Sequence, residues 1–251
     1  MTITPTVKQL LIINILFFIG SQVVPTSYDL FALYYPESDK FKGWQLITHM
    51  FMHAPFPNIM HILFNMFALY SFGSALEHFW GGKKFLFFYI SCGLGAALLH
   101  TGVNYYFFQE GMSILNSNGF TKTKILEILN QGKIDTTWQE LMSATDFENF
   151  TSSYFGTIVG ASGAIYGLLV AFAYMFPNAE LALLFIPIPI KAKYFVPGIL
   201  AIDLFLGFKG QSIFGAGSTG IAHFAHIGGA LTGFLMMWYW KKDQFRNNRW
   251  D

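Results

Sequence analysis

The stretch "GASGAIYG", residues 160–167, places one serine among three glycines, with a tyrosine four positions after it. It lies in a long apolar run, where small residues normally let two helices cross closely. Ser162 therefore has two interpretations, a packing residue or a nucleophile. The motif alone favours packing, because a serine in a membrane helix usually bonds to its own backbone carbonyls.

The composition places this run in a membrane protein. Of the 251 residues, 53% are hydrophobic and 12% are charged, whereas soluble domains carry about 25% charged residues. The formal net charge of +1 gives no electrostatic basis for binding nucleic acid. The single cysteine, Cys92, excludes an internal disulfide and a cysteine-rich zinc cluster. We expect a lipid bilayer as the surroundings, with no cofactor, metal or nucleic acid.

Six segments approach the length of about 20 apolar residues that a spanning helix needs. They lie near residues 8–25, 57–75, 84–103, 152–175, 193–208 and 218–240. Pro197 and Gly198 are expected to break the fifth segment, and "LALLFIPIPI" (181–190) predicts an interfacial loop. The prediction is an all-α protein, a six-helix transmembrane bundle forming a single membrane domain over residues 1–251. No cleavage site follows the first apolar run, so that run predicts a retained helix.

Basic residues indicate which side of the membrane holds the termini. With the N-terminus inside, the inside segments contain nine of the 15 basic residues: Lys8, Lys83, Lys84, Lys191, Lys193, Lys241, Lys242, Arg246 and Arg249. Positive charge favours the cytoplasmic side, so both termini are expected there, in a bacterial inner membrane. Outside, residues 27–56 are expected to lie in the interface. Residues 108–151 predict a small extramembrane insert with one or two short helices.

Polar residues inside a membrane are costly and need a reason. His61 and Asn65 are four positions apart and share one helix face, either as an interhelical hydrogen-bond pair or as two donors directed at one place. Ser162 and Tyr166 have the same spacing in the fourth span. Around these two residues, Gly156, Gly160, Gly163 and Gly167 form two G-x-x-x-G patterns, typical of a close crossing.

The sixth span contains a histidine with small residues along its face. Gly229 and Gly233 follow His226 by three and seven positions, which lets another backbone approach the imidazole. His223 points about 60° away, given 3.6 residues per turn, and predicts a polar rim residue.

Together these residues supply every role of a serine protease. Ser162 is the candidate nucleophile, and His226 is the base that a serine hydroxyl needs. His61, Asn65 and the Ser162 backbone N–H are candidates for the oxyanion donors. The combination therefore favours catalysis over packing.

The chain resembles the rhomboid family of intramembrane serine proteases. The matching residues are Gly160, Ser162 and Gly163 in G-x-S-G, His226 with Gly229 and Gly233, His61 with Asn65, Tyr166, and Glu77 with Gly81 in E-x-x-x-G. The resemblance covers most of residues 44–235 and implies a Ser–His dyad without an aspartate, with Tyr166 stacked on the base. It also implies transmembrane protein substrates and a fifth helix that acts as a lateral gate.

The chain departs from the family pattern in places. Trp44-Gln45 replaces a Trp-Arg pair, and "APFPNIM" separates His53 from His61. Asp203, near the end of the fifth span, predicts snorkelling or capping and no catalytic role.

Three other functions are less consistent with the residues. A rhomboid-like chaperone or adaptor without catalytic activity would lack the serine or the histidine, and both are present. A transporter would be expected to have polar residues on more of its membrane-spanning segments. A zinc metalloprotease predicts H-E-x-x-H, a motif that this sequence lacks.

Overall fold

The computed structural model describes residues 2–183, 186–209 and 221–247. Its helices are α1 (Pro5–Val23), α2 (Ser27–Phe31), α3 (Gln45–Thr48), α4 (Ile59–Ala68), α5 (Ser74–Trp80), α6 (Gly82–Ser117), α7 (Lys122–Asn130), α8 (Trp138–Leu141), α9 (Ala144–Phe155), α10 (Ser162–Met175), α11 (Ala192–Lys209) and α12 (Ile221–Asn247). A 3₁₀ turn, His49–Phe51, follows α3, and a π-helical turn, Leu69–Gly73, joins α4 to α5. Strands β1 (Glu180–Leu183) and β2 (Ile186–Lys191) form an antiparallel hairpin.

Helices occupy all six predicted spanning positions. Among the described residues, three stretches are long and apolar enough to cross a membrane: α1, the continuous segment Ile59–Trp80, and α6. α10 is a shorter apolar helix, and α11 and α12 lie at the fifth and sixth predicted positions. Residues 218–220, the start of the sixth predicted span, lie outside the described residues. The chain is thus an all-α, multi-pass integral membrane protein.

The single span predicted at 152–175 is wrong. α9 ends at Phe155, and α10 begins only at Ser162. Gly160 lies between them with φ of +124°, a conformation that excludes a right-handed helix and that glycine adopts without strain. Hydropathy did not reveal this break, because the segment that crosses it is apolar and uncharged. The two predicted G-x-x-x-G patterns therefore do not lie on one helix.

The predictions for residues 181–208 need two corrections. Residues 181–190 do not form a simple loop, because most of them pair in the β1–β2 hairpin, with Glu180 opposite Lys191. The fifth span is not broken, because α11 continues through Pro197. This proline lies in the second turn of the helix, where its missing N–H leaves one backbone hydrogen bond unmade.

The insert is larger than predicted. α6 does not end near residue 103 but runs on to Ser117, and α7, α8 and α9 follow it. These helices enclose a hydrophobic core of their own, separate from that of the bundle. Its buried members include Phe108, Ile125, Trp138 and Phe150. The sequence predicted only one or two short helices here, because the continuation of α6 past the membrane has no hydropathy signal.

Glu77 fixes the start of the first helix. Its carboxylate accepts hydrogen bonds from the Thr6 N–H at 2.9 Å, the Val7 N–H at 2.8 Å and the Thr4 hydroxyl. An anion at this position satisfies the free N–H groups of α1 and complements the helix dipole. Gly81, with φ of +74°, then ends α5 and lets the chain turn into α6.

The loop between α1 and α4 is ordered around Gln45, which is fully buried. Its amide donates to the carbonyls of Lys40 at 2.9 Å and Asp29 at 3.1 Å, and its carbonyl accepts the Lys42 N–H at 3.1 Å. This glutamine therefore organises the loop from the position where the resemblance implies an arginine. The loop also reaches the segment before Ser162, because Leu33 and Ile158 exchange two backbone hydrogen bonds of 3.0 Å.

Candidate active site

Ser162 is the first residue of α10, and two loop contacts position it. The Gly160 N–H donates to the His49 carbonyl at 2.9 Å, and the Leu33–Ile158 bridge holds the chain just before it. The N–H groups in the first turn of a helix have no intrahelical acceptor and lie at the positive end of its dipole. The backbone N–H of Ser162 is therefore suited to stabilise negative charge beside its own hydroxyl.

Ser162 lies in contact with His226 of α12. The distance from Ser162 Oγ to His226 Nε2 is 2.9 Å, within the predicted hydrogen-bond range. Both side chains belong to the bundle, and His226 is partly buried. The structure therefore brings the candidate nucleophile and the candidate base together across 64 residues of sequence.

Glycine makes this contact possible. A Cβ atom at Gly229 would lie 1.8 Å from the Gly163 carbonyl oxygen, and one at Gly233 would lie 2.8 Å from the Gly167 backbone. α10 and α12 thus touch backbone to backbone, as the small residues after His226 predicted. On the other face of α10, a Cβ at Gly163 would lie 2.5 Å from Ala96 Cβ of α6. No larger residue fits this crossing without separating the helices.

Tyr166 fixes the plane of the imidazole. Its ring stacks on His226 with centroids 4.2 Å apart and an interplanar angle of 6°. The resemblance implied this stack, and the two rings are stacked in the structure. With Ser162 at its edge and Tyr166 on its face, the His226 ring is held in position and orientation.

His61 lies beside the serine. Its Nδ1 accepts the Ala54 N–H at 3.0 Å, which leaves the proton of the neutral ring on Nε2. A Cβ at Gly160 would lie 3.0 Å from His61 Nε2 and 3.7 Å from Ser162 Oγ. The Nε2–H edge of His61 therefore faces the backbone two residues before the serine.

Asn65 uses only part of its hydrogen-bonding capacity within α4. Its side chain is buried and donates to the His61 carbonyl at 2.7 Å. An amide carries two N–H donors, so the second remains for another acceptor. The i, i+4 spacing places both side chains on one face of α4, as predicted.

Asp203 is neither snorkelling nor capping, contrary to the sequence prediction. It is 4% exposed, and its Oδ1 lies 2.6 Å from His223 Nδ1. Its Oδ2 lies 3.4 Å from His226 Nδ1. His223 is itself 7% exposed and is not a rim residue. The signal that could have identified Asp203 is its charge within an apolar helix, which by default marks a functional position.

Asp203, His223 and His226 are also the described residues that could hold a metal ion. Their donor atoms lie within 4.8 Å of one another. A tetrahedral zinc with bonds of about 2.0–2.1 Å keeps neighbouring ligand atoms about 3.3 Å apart. The 2.6 Å separation of His223 Nδ1 and Asp203 Oδ1 is shorter and is that of a hydrogen bond. The donor set as arranged therefore fits a hydrogen-bonded group better than a metal centre.

His53 has a supporting role that the sequence did not reveal. Burial lowers the pKa of His53 to about 3, so its ring is neutral at pH 7. Its Nε2 lies 2.9 Å from Oδ1 of Asn14, a buried residue of α1, and its ring meets that of His61 edge-on at 5.3 Å. His53 therefore links α1 to His61. Asn14 gave no signal, because a lone asparagine on an apolar helix matches no motif.

Comparison with known proteins gives the same family across most of the chain. The Rhomboid domain model matches residues 40–242. "Rhomboid protein 1, mitochondrial" of Saccharomyces cerevisiae is 24% identical over 202 residues, 78% of this chain and 42% of that protein. An uncharacterized mitochondrial rhomboid protein of Schizosaccharomyces pombe is 28% identical over 80% of this chain and 52% of its own length. "Rhomboid protease AarA" of Providencia stuartii is 27% identical over 77% of this chain and 54% of that protein.

The chain spans about half the length of the curated relatives it matches. Two of the relatives are named as mitochondrial, so the comparison does not support the expected bacterial inner membrane.

Proposed function

The chain belongs to the rhomboid family, and on that premise we propose that it is an intramembrane serine protease. Its substrates are membrane proteins, cut in or near their transmembrane segments. The observation that carries the proposal is the 2.9 Å contact between Ser162 Oγ and His226 Nε2. It is supported by the glycine-lined crossing that brings the backbones of α10 and α12 together next to this contact.

In the proposed reaction the Ser162 hydroxyl attacks the substrate carbonyl while His226 Nε2 accepts its proton. The Ser162 N–H, His61 and Asn65 stabilise the oxyanion of the tetrahedral intermediate. His226 then protonates the leaving amine, and an acyl group remains on Ser162. Water, deprotonated by His226, hydrolyses this ester and restores the serine.

The depth of the site is consistent with substrates in the membrane. α10 has 14 residues, which at about 1.5 Å per residue is roughly 21 Å. The hydrocarbon core of a bilayer is about 30 Å thick. Since α10 is shorter than the core, we place its Ser162 end below the outer surface, with the insert above it. We also propose that residues 1–251 form one membrane domain with both termini cytoplasmic.

Cleavage of a defined substrate tests the proposal. The purified protein in detergent is incubated with a tagged single-span membrane protein, and the fragments are identified by mass spectrometry. We expect cleavage by the parent and none by Ser162→Ala. If both proteins bind the substrate and neither cuts it, the chain is a silent adaptor of the rhomboid family. If Ser162→Ala cuts as fast as the parent, the assigned nucleophile is wrong.

A further inference from the structure

A carboxylate lies on the far side of the candidate base. His226 uses Nε2 toward Ser162, and its Nδ1 faces Asp203 Oδ2 at 3.4 Å. Both of these facing atoms are buried, and neither has a hydrogen-bond partner within the described residues. A buried polar atom without a partner is destabilising. Two complementary atoms that lack partners and face each other indicate a bond that a small shift of the ring completes.

Such an acceptor favours the protonation state that the imidazole needs as a base. To accept the Ser162 proton at Nε2, the neutral ring must carry its own proton on Nδ1. A buried Nδ1–H without an acceptor would favour the opposite tautomer, in which Nε2 is already protonated and cannot act as a base. An anionic oxygen beside Nδ1 selects the competent tautomer and stabilises the imidazolium that forms during attack.

We propose that Asp203 is a positioning residue that fixes the Nδ1–H tautomer of His226, the base of the Ser162–His226 pair. The inference rests on the proposed protease function and adds a positioning group behind the base of the implied dyad. Asp203 acts through the base and does not touch the substrate.

His223 explains how the carboxylate is held. Its Nδ1 lies 2.6 Å from Asp203 Oδ1, which leaves Oδ2 directed at His226. The His223 ring meets that of His226 at 86° with centroids 6.1 Å apart. The phenol of Tyr166 is a further electrostatic neighbour of the same carboxylate. Asp203 of α11 is thus fixed by groups of α10 and α12.

The test compares Asp203→Asn, Asp203→Ala and Asp203→Glu with the parent in the cleavage assay. In a soluble serine protease the corresponding change to asparagine lowers kcat about 10⁴-fold. We expect a smaller loss for Asp203→Asn, about 10- to 100-fold in kcat, because Tyr166 still holds the ring. KM should stay within about threefold of the parent, because the acid makes no substrate contact. Asp203→Glu should retain more activity than Asp203→Asn, because it keeps the anion.

Glu77→Gln is the matched control, because it neutralises another buried carboxylate of the bundle. It should lower thermal stability and leave kcat of the folded protein unchanged. Nitrogen-15 NMR of labelled histidine provides a readout that needs no activity. The parent should show His226 protonated at Nδ1, and Asp203→Asn should shift it toward the Nε2–H form.

The outcomes separate the two proposals. Unchanged kcat and an unchanged tautomer in Asp203→Asn would overturn the positioning role, as would a loss of stability with normal kcat. Activity that vanishes with a chelator and returns with zinc would replace the proton arrangement by a metal site. If the parent cleaves nothing, the protease proposal fails, while the NMR spectrum still decides what Asp203 does to His226.

Discussion

Two regions of this molecule are held together in opposite ways. Where α10 crosses α12, Gly163, Gly167, Gly229 and Gly233 bring backbone against backbone. The insert instead packs large rings, with Phe108 and Phe150 stacked at 5.1 Å. In lipid there is no hydrophobic drive between helices, so close fit provides the contact. In water, buried apolar area provides stability. The crossing therefore sets the positions of the candidate catalytic groups, whereas the insert is held by an aromatic core of its own.

The largest effect is expected from a side chain added at the crossing. Gly229→Val would place its Cβ where the Gly163 carbonyl oxygen lies, so α12 must move away from Ser162. A misplacement of 1 Å can cost about 100-fold in rate. We therefore expect kcat/KM for the tagged substrate to fall by more than about 100-fold while the protein still inserts in the membrane.

Gly102→Val is the control for that variant. Gly102 also lies in a bundle helix, α6, but nothing lies within 4 Å of an added Cβ there. Activity should be retained. Full activity in Gly229→Val would show that the close crossing is not needed for catalysis.

The insert should respond with a loss of stability rather than of chemistry. Trp138 is fully buried, and removing such a side chain costs about 3–5 kcal/mol of the free energy of unfolding. Trp138→Ala should unfold earlier in denaturant than Ile134→Ala, because Ile134 is 41% exposed. In protein that remains folded, the rate at which a fluorophosphonate labels Ser162 should stay within about threefold of the parent. A labelling rate that falls in parallel with stability would mean that the two regions are not independent.

A second histidine–asparagine pair in the chain serves as a control. It distinguishes an oxyanion role of Asn65 and His61 from a purely structural role. Asn104 and His100 of α6 repeat the spacing of Asn65 and His61, with 2.8 Å between Asn104 Nδ2 and His100 Nε2. One lost oxyanion donor costs about 100- to 1,000-fold in a soluble protease. We expect about 10- to 100-fold for Asn65→Ala or His61→Ala, in kcat and kcat/KM alike, since other donors remain.

The Asn104–His100 hydrogen bond lies within α6, so Asn104→Ala should lower stability by about 0.5–1.5 kcal/mol, as for a typical intramolecular hydrogen bond, and leave kcat unchanged. If Asn65→Ala behaves like Asn104→Ala, both pairs are structural and the oxyanion is held by other groups.

The smallest effect is expected at Tyr166. An aromatic stack contributes about 0.5–1.5 kcal/mol, so Tyr166→Ala should lower kcat by about 2- to 10-fold. Tyr166→Phe keeps the ring against His226 and should stay close to the parent. Equal kcat in the parent and both variants would show that the stack of Tyr166 on His226 does not contribute to catalysis.

The sequence was most informative where side chains carry chemistry. The spacing of His61 and Asn65, the serine among glycines and the glycines after His226 predicted which residues the fold brings together. The break before Ser162 was missed because residues 156–161 are as apolar as the helix they interrupt. Only the backbone reveals Gly160 at φ of +124°.

Contacts between distant segments were also beyond the sequence. Asp203 was interpreted as a snorkelling residue, because its partner His223 lies 20 positions away on another helix. The core of the insert was missed for a related reason. Its rings come from α6, α8, α9 and the loops that carry Tyr35 and Phe120, and no local period joins them.

The central claim is that Ser162 is nucleophilic because His226 accepts its proton. A fluorophosphonate probe reacts with activated serines, and the rate and site of its adduct can be read by mass spectrometry in the parent, His226→Ala and His78→Ala. General-base catalysis contributes about 10²- to 10⁴-fold. We predict a single adduct on Ser162, formed more than about 100-fold more slowly in His226→Ala and at the parental rate in His78→Ala. An adduct on another serine, or equal rates in all three proteins, would contradict the account.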